Sequence, residues 1–175
     1  MFWKAQPSRV VLAHLQKRGA GKTYYWKARG NRPVPIGFQV PPSIKSLSSL
    51  RDPVSRKLEA LFEEIRANEF PNRPSRIGSV FVCPDDNLAF GWCDPRKGTV
   101  YEVQVTGKVF ETNLELYTEA SERARFREWV GVPEIIREYW GGKYPQVPEV
   151  LVGGKVVVIR AVDPSEVGDP WEDLI

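Results

Sequence analysis

Residues 70–82 read Phe-Pro-Asn-Arg-Pro-Ser-Arg-Ile-Gly-Ser-Val-Phe-Val. Pro71 and Pro74 end any helix that reaches them, because proline lacks the amide proton and clashes with the preceding turn. The run Ile77 to Cys83 that follows is continuous and β-type, short enough for a buried strand. Upstream, Asp52 is a good N-cap and Pro53 fits a first helical turn. Val54, Leu58, Leu61, Phe62 and Ile65 recur at helical spacing, and Glu59, Glu63, Glu64 and Arg66 are expected on the solvent side. The segment therefore joins a helix to a strand through a proline-rich connector.

Outward from this junction the signals are mainly strands. Thr99 to Val105 alternates Val100, Glu102 and Gln104 against Tyr101, Val103 and Val105, as a strand does. Asp85 to Trp92 reads as a brief helix, and Ser121–Trp129 and Pro133–Trp140 as two short helices split at Gly131. Glu149–Val152 and Lys155–Val162 flank Gly153-Gly154, a dipeptide suited to a tight hairpin. Residues 30–50, rich in proline, glycine and serine, read as an ordered loop or lid. Strands outnumber crossover helices and cluster late. The expectation is a single α+β domain over residues 1–162 with a mainly antiparallel sheet and a few short helices, followed by an acidic tail, 163–175.

Charge is distributed unevenly. Nine of the 25 lysines and arginines, and none of the 22 acidic residues, lie in the first fifty positions. Phe2, Trp3, Tyr24, Tyr25, Trp26 and Phe38 interleave with these cations. Such a block suits an anion: a phosphate backbone, a pyrophosphate or an acidic partner. Apolar runs such as Val156 to Ile159 are far too short to span a membrane. Val10 to Ala13 ends at His14 without forming a secretory core, so a cytoplasmic protein is expected.

Several chemistries are excluded by what is missing. Cys83 and Cys93 are too few for a disulfide scaffold and too far from histidine for a zinc site; both are expected reduced and buried. The single histidine, His14, rules out multi-histidine metal or catalytic sites, and no metal is expected. Gly19-Ala-Gly-Lys-Thr23 ends like a phosphate-cradling loop, but Gln16 stands where that loop requires glycine and a strand-like segment follows. Arg123, Arg125 and Arg127 recur every second residue, which spreads them around a helix.

In order along the chain stand Tyr24-Tyr-Trp-Lys-Ala-Arg-Gly30, the 70–82 segment, Val100-Tyr-Glu-Val-Gln-Val105, Arg137-Glu-Tyr-Trp-Gly-Gly142 and Pro148-Glu-Val-Leu-Val-Gly-Gly154. This set resembles the ADP-ribosyltransferase-like fold, particularly its small bacterial and phage domains, through short motifs spread over residues 22–162. The resemblance implies a split antiparallel sheet that clasps NAD⁺ as substrate. It implies a first strand that supplies a histidine or arginine, a second that supplies a serine or threonine, and a late strand that supplies the catalytic glutamate. Tyr25, Trp26 and Lys27 match the first strand, Ser79 or Ser75 the second motif, and Glu149 the third. Lys27, Arg29 and Arg76 are the cations available to the cofactor. One departure is Trp26, which stands where the histidine-type members carry histidine; Lys27 or Arg29 would then take over that contact.

The expected function is NAD-dependent ADP-ribosyl transfer to a macromolecular target, with Trp26 leaving open whether the pocket retains catalysis. The alternative is a non-enzymatic protein that binds nucleic acid or an acidic protein through Lys22, Lys27, Arg29 and Arg32. A 2′-phosphotransferase-like activity on RNA lies between the two.

Overall fold

The computed structural model describes residues 22–29, 32–86, 89, 98–142, 147–163 and 165. Its elements are β1 (Tyr24–Arg29), a short 3₁₀ turn (Leu47–Ser49), α1 (Pro53–Glu69), β2 (Val80–Val82), β3 (Gly98–Asn113), α2 (Leu114–Arg125), α3 (Val132–Gly141) and β4 (Pro148–Ala161). The fold is α+β. His14, Cys93 and most of the 85–92 segment and of the acidic tail lie outside the described residues.

The sheet runs β1-β3-β4-β2, and every neighbouring pair is antiparallel. Its two edges then approach each other. Tyr25 of β1 and Cys83, just past β2, form an isolated antiparallel bridge. Each amide donates to the other's carbonyl, at 2.8 and 2.7 Å. The sheet is therefore curled until its outer strands touch. Val80, Val82, Tyr101, Val103, Val150, Val152, Val156 and Val158 pack inside the curl.

The helices cover the opposite face. Leu58, Phe62 and Ile65 of α1, Ala120 and Ala124 of α2, and Ile136, Tyr139 and Trp140 of α3 bury against Phe110 and Leu151 of the sheet. Trp140 donates its indole N–H to the Phe62 carbonyl at 3.0 Å, so the largest side chain of this core leaves no unpaired donor. Helix α1 starts as its sequence dictates: Asp52 accepts from the amides of Val54 and Ser55 at 3.2 and 3.0 Å. Glu59 departs from expectation, lying 1% exposed on the buried side of α1. Helix α2 begins seven residues before Ser121, where Asn113 accepts from the Glu115 amide at 3.0 Å and caps it.

Gly153-Gly154 is not a hairpin. β4 passes through both residues in one register, with Gly107 opposite Gly154 and Lys108 opposite Gly153. β3 is correspondingly longer than its alternating part and continues to Asn113. Close approach, rather than a turn, explains the glycines. A Cβ on Gly153 would lie 2.7 Å from the Pro74 Cβ, and one on Gly154 would run into the Thr106 carbonyl oxygen. Their bareness lets the α1–β2 connector lie directly on β4. That connector carries Arg76.

Residues 32–50 form the ordered loop expected of them. Gln39 bridges Val157, and the Val40 amide donates to Val156 at 2.9 Å. The Ser43 amide donates to Ser79 at 2.9 Å, so the loop also follows β2.

Replacing Gly154 by alanine forces a methyl group against backbone that cannot move without breaking the ladder. The cost is expected at about 2 kcal/mol or more. In a chain of this size that lowers the melting temperature by roughly 4–8 °C, measurable by calorimetry; an unchanged value would contradict the close approach.

Candidate functional site

A cleft of about 600 Å³ opens where the two edges of the curled sheet meet. Tyr25, Trp26 and Lys27 of β1 line one side, Pro41, Pro42 and Ser43 of the loop another, and Phe81, Val82 and Cys83 a third. Glu149, at the start of β4, completes the wall. The register explains this meeting. Val82 pairs with Val150, so one residue further Cys83 comes beside Glu149, and Cys83 bridges Tyr25. The volume falls within the usual range for small-molecule sites.

Glu149 is 5% exposed and strongly held. Its Oε2 accepts from Arg76 Nη1 at 2.7 Å and from the Tyr139 hydroxyl at 2.5 Å. Arg76 Nη1 also donates to the Tyr139 hydroxyl. The other edge of the guanidinium faces Glu59, with Nε 3.0 Å from Oε2 and Nη2 3.3 Å from Oε1. Arg76 is 2% exposed. Its guanidinium carbon lies 4.1 Å from the Tyr117 ring centre and 4.7 Å from that of Phe81. Tyr139 is fixed in turn, since the Thr112 hydroxyl donates to its backbone carbonyl at 2.6 Å.

Two carboxylates thus flank one guanidinium in a nearly dry setting. Burial opposes the arginine's charge, but Glu149, together with Tyr139 and Glu59, outweighs it and holds the guanidinium well above its ordinary value. Burial raises the Tyr139 hydroxyl well above the ordinary tyrosine value, with Glu149 adding to it. Burial, reinforced by Glu59, pushes Tyr117 up to about 12. Cys83 is pushed up to about 12 by burial and then by Glu149. A thiol so raised is protonated at neutral pH, which makes it wall rather than nucleophile.

The eight site residues expected from sequence separate into groups. Tyr25, Trp26, Lys27 and Glu149 converge on the cleft. Trp26 packs on Tyr101, ring centres 6.1 Å apart. Arg29 ends β1. Ser75, Arg76 and Ser79 do not line the cleft. The Ser75 hydroxyl donates to Glu63 at 2.6 Å, and that of Ser79, which is buried, donates to the Ser75 carbonyl. Arg76 reaches the cleft only through Glu149. The proposed anion-binding cations are also dispersed: Lys22 pairs with Glu111, Lys27 is on the cleft wall, and Arg32 is exposed.

Sequence reasoning missed Glu59 and Tyr139. The signal for Glu59 was available, since it sits three residues before Phe62 on the apolar stripe of α1. Tyr139 stands in the Arg-Glu-Tyr-Trp motif but carries no mark that separates it from a core aromatic.

Among the described residues no group of three or more His, Cys, Asp or Glu side chains is arranged to hold a metal, and no helix is long and apolar enough to cross a membrane. The class defined so far is a curled antiparallel α+β domain with a carboxylate-bearing cleft at its seam. The chain belongs to the family described as protein of unknown function (DUF2441), whose model matches residues 30–164. No curated protein matches the chain.

Arg76→Met strips the cation from between two buried carboxylates. A loss of about 3–5 kcal/mol is expected, read as a lower urea midpoint at neutral pH. For Cys83, burial lifts the folded thiol above its ordinary value of 9.0. Below pH 9 both folded and unfolded states keep the proton; above it the unfolded thiol ionises first, so stability falls towards pH 12. Cys83→Ala is expected to lose less stability than the parent chain over that window, measured by urea midpoints on either side of it. Parallel losses would show that the thiol is not desolvated.

Proposed function

We propose that the cleft binds NAD⁺ and that the protein transfers ADP-ribose to a macromolecular acceptor, with Glu149 as the catalytic carboxylate. The observation that carries this reading is the presence of Glu149, Trp26, Tyr25 and Lys27 around one cleft of about 600 Å³. The sheet arrangement supports it, since β1 and the start of β4 are brought together by the curl. So does the charge beside the wall: two carboxylates share one guanidinium, a formal excess of one negative charge, with Glu149 on the cleft and Arg76 4.7 Å from the Phe81 ring centre. Flat apolar walls backed by negative charge suit a cationic aromatic ring, and the nicotinamide of NAD⁺ is one. Lys27 brings positive charge for the pyrophosphate.

The chemistry follows from that placement. The bond between the ribose C1′ and the nicotinamide nitrogen breaks, and its electron pair leaves with nicotinamide, which becomes neutral. The sugar acquires oxocarbenium character. A carboxylate paired with Arg76 stabilises that charge and accepts a hydrogen bond from the ribose 2′-hydroxyl. An acceptor nucleophile then bonds to C1′ and gives up its proton. Tyr139 and Arg76 both bind Oε2, so the cleft-bound ribose is left to Oε1.

Millimolar NAD⁺ is expected to raise the melting temperature. Glu149→Gln should reduce NAD⁺ cleavage by about a hundredfold or more while leaving that thermal shift in place. A melting curve indifferent to NAD⁺, or a Gln variant as active as the parent, would remove the proposal. Salt-sensitive binding to RNA or DNA without any response to NAD⁺ would favour the binding protein instead.

A further inference from the structure

Glu59 lies on α1, outside the cleft lining, yet it is 1% exposed and faces Arg76, a cation that pairs with Glu149. We infer that Glu59 is a positioning residue for the cleft carboxylate, acting through Arg76; the inference rests on the reading of Glu149 given above.

The argument is geometric. A guanidinium presents its donors in a rigid plane, so fixing one edge fixes the direction of the other. Glu59 takes the Nε/Nη2 edge of Arg76, and Tyr117 and Phe81 lie close to the guanidinium. With that edge seated, Nη1 can point only towards Glu149 and Tyr139, the two groups it contacts. The neighbouring inward positions on α1, Leu58, Phe62 and Ile65, are apolar and fill the same core. An acid placed there incurs a desolvation cost that an apolar residue would avoid. Its return is the orientation of a guanidinium whose far end holds Oε2 of Glu149 and leaves Oε1 to the cleft. The connector geometry serves the same end: Pro74 lies against bare Gly153, setting Arg76 down between α1 and β4.

The test pairs a spectroscopic reading with a kinetic one. In ¹⁵N-labelled parent protein the Arg76 Nη protons should give separate, slowly exchanging signals, because rotation about Cζ–Nε would carry Nη1 off Glu149 and Nη2 off Glu59. Glu59→Gln keeps size and a hydrogen-bond acceptor and should still fold, but it should merge or broaden those signals. It should lower kcat for NAD⁺ cleavage roughly ten- to hundredfold with KM little changed, and Glu59→Asp should restore part of the loss. Arg76 signals as sharp in Glu59→Gln as in the parent would overturn the inference, and so would an unaltered kcat in an active enzyme. Absence of NAD⁺ cleavage in the parent would strike the functional reading alone, because the Arg76 signals would still decide whether Glu59 sets the guanidinium.

Discussion

The buried guanidinium of Arg76, shared between Glu59 and Glu149, is the interaction on which the rest of the molecule turns. It joins α1, the α1–β2 connector, α3 through Tyr139, and β4 through Glu149. Each of these groups alone would be costly to bury. An unpaired ionised side chain in a protein interior loses several kcal/mol of hydration, and a carboxylate left without its cation is the usual source of a failed core. Together they satisfy one another, and no described buried side-chain polar atom lacks a hydrogen-bond partner. The arrangement also ties the helical layer to the strand whose first residues form the cleft. Motion of α1 relative to the sheet would be felt at Glu149.

The location of that cluster follows from the curl. A flat four-stranded sheet in the order β1-β3-β4-β2 would place Tyr25 and Cys83 on opposite edges, separated by two intervening strands. Right-handed twist brings them into contact, and one pair of backbone hydrogen bonds closes the seam. The cleft lies at this closure because the pairing there is a single bridge, not a full ladder. Gly107, Gly153 and Gly154 let the long β3–β4 ribbon and the connector above it come close. Backbone packing and site geometry are therefore products of the same residues.

Much of the fold was legible because it depended on local chemistry. Asp52 and Pro53 marked the start of α1, Pro71 its end, and Gly131 the break between α2 and α3; all act within a turn of their own position. Alternation marked the strand at Thr99–Val105, and the antiparallel preference followed from strands that outnumber crossover helices and cluster late. What stayed hidden was long-range. Gly153-Gly154 has the local signature of a turn, but pairing with Lys108 and Gly107 carries β4 straight through it, and Pro74, nearly eighty positions earlier, lies against Gly153. Glu59 borders the apolar stripe of α1, but the partner that makes burial of its carboxylate tolerable, Arg76, stands seventeen positions away. Residues 106–113 and 114–120 lack a clean period because β3 gives way to α2 at Asn113 without an intervening loop.

The same distinction sorts the candidate site. Glu149 could be singled out from its own motif, and the fold places it on the cleft with Tyr25, Trp26 and Lys27. Ser75, Arg76 and Ser79 were grouped with it because they stand close together in sequence, in a segment that joins a helix to a strand. Such a connector reverses side-chain direction over a few residues. Ser75 is drawn to Glu63, Ser79 turns back to its own connector, and Arg76 passes inward beneath Glu149. These three residues thus lie off the cleft lining, while the segment that carries them runs beside it. Arg76 matters to the cleft from behind, by fixing the carboxylate that faces it. A cation in that position does not open onto the cleft, whose lining carries Lys27 of β1 as its described basic residue.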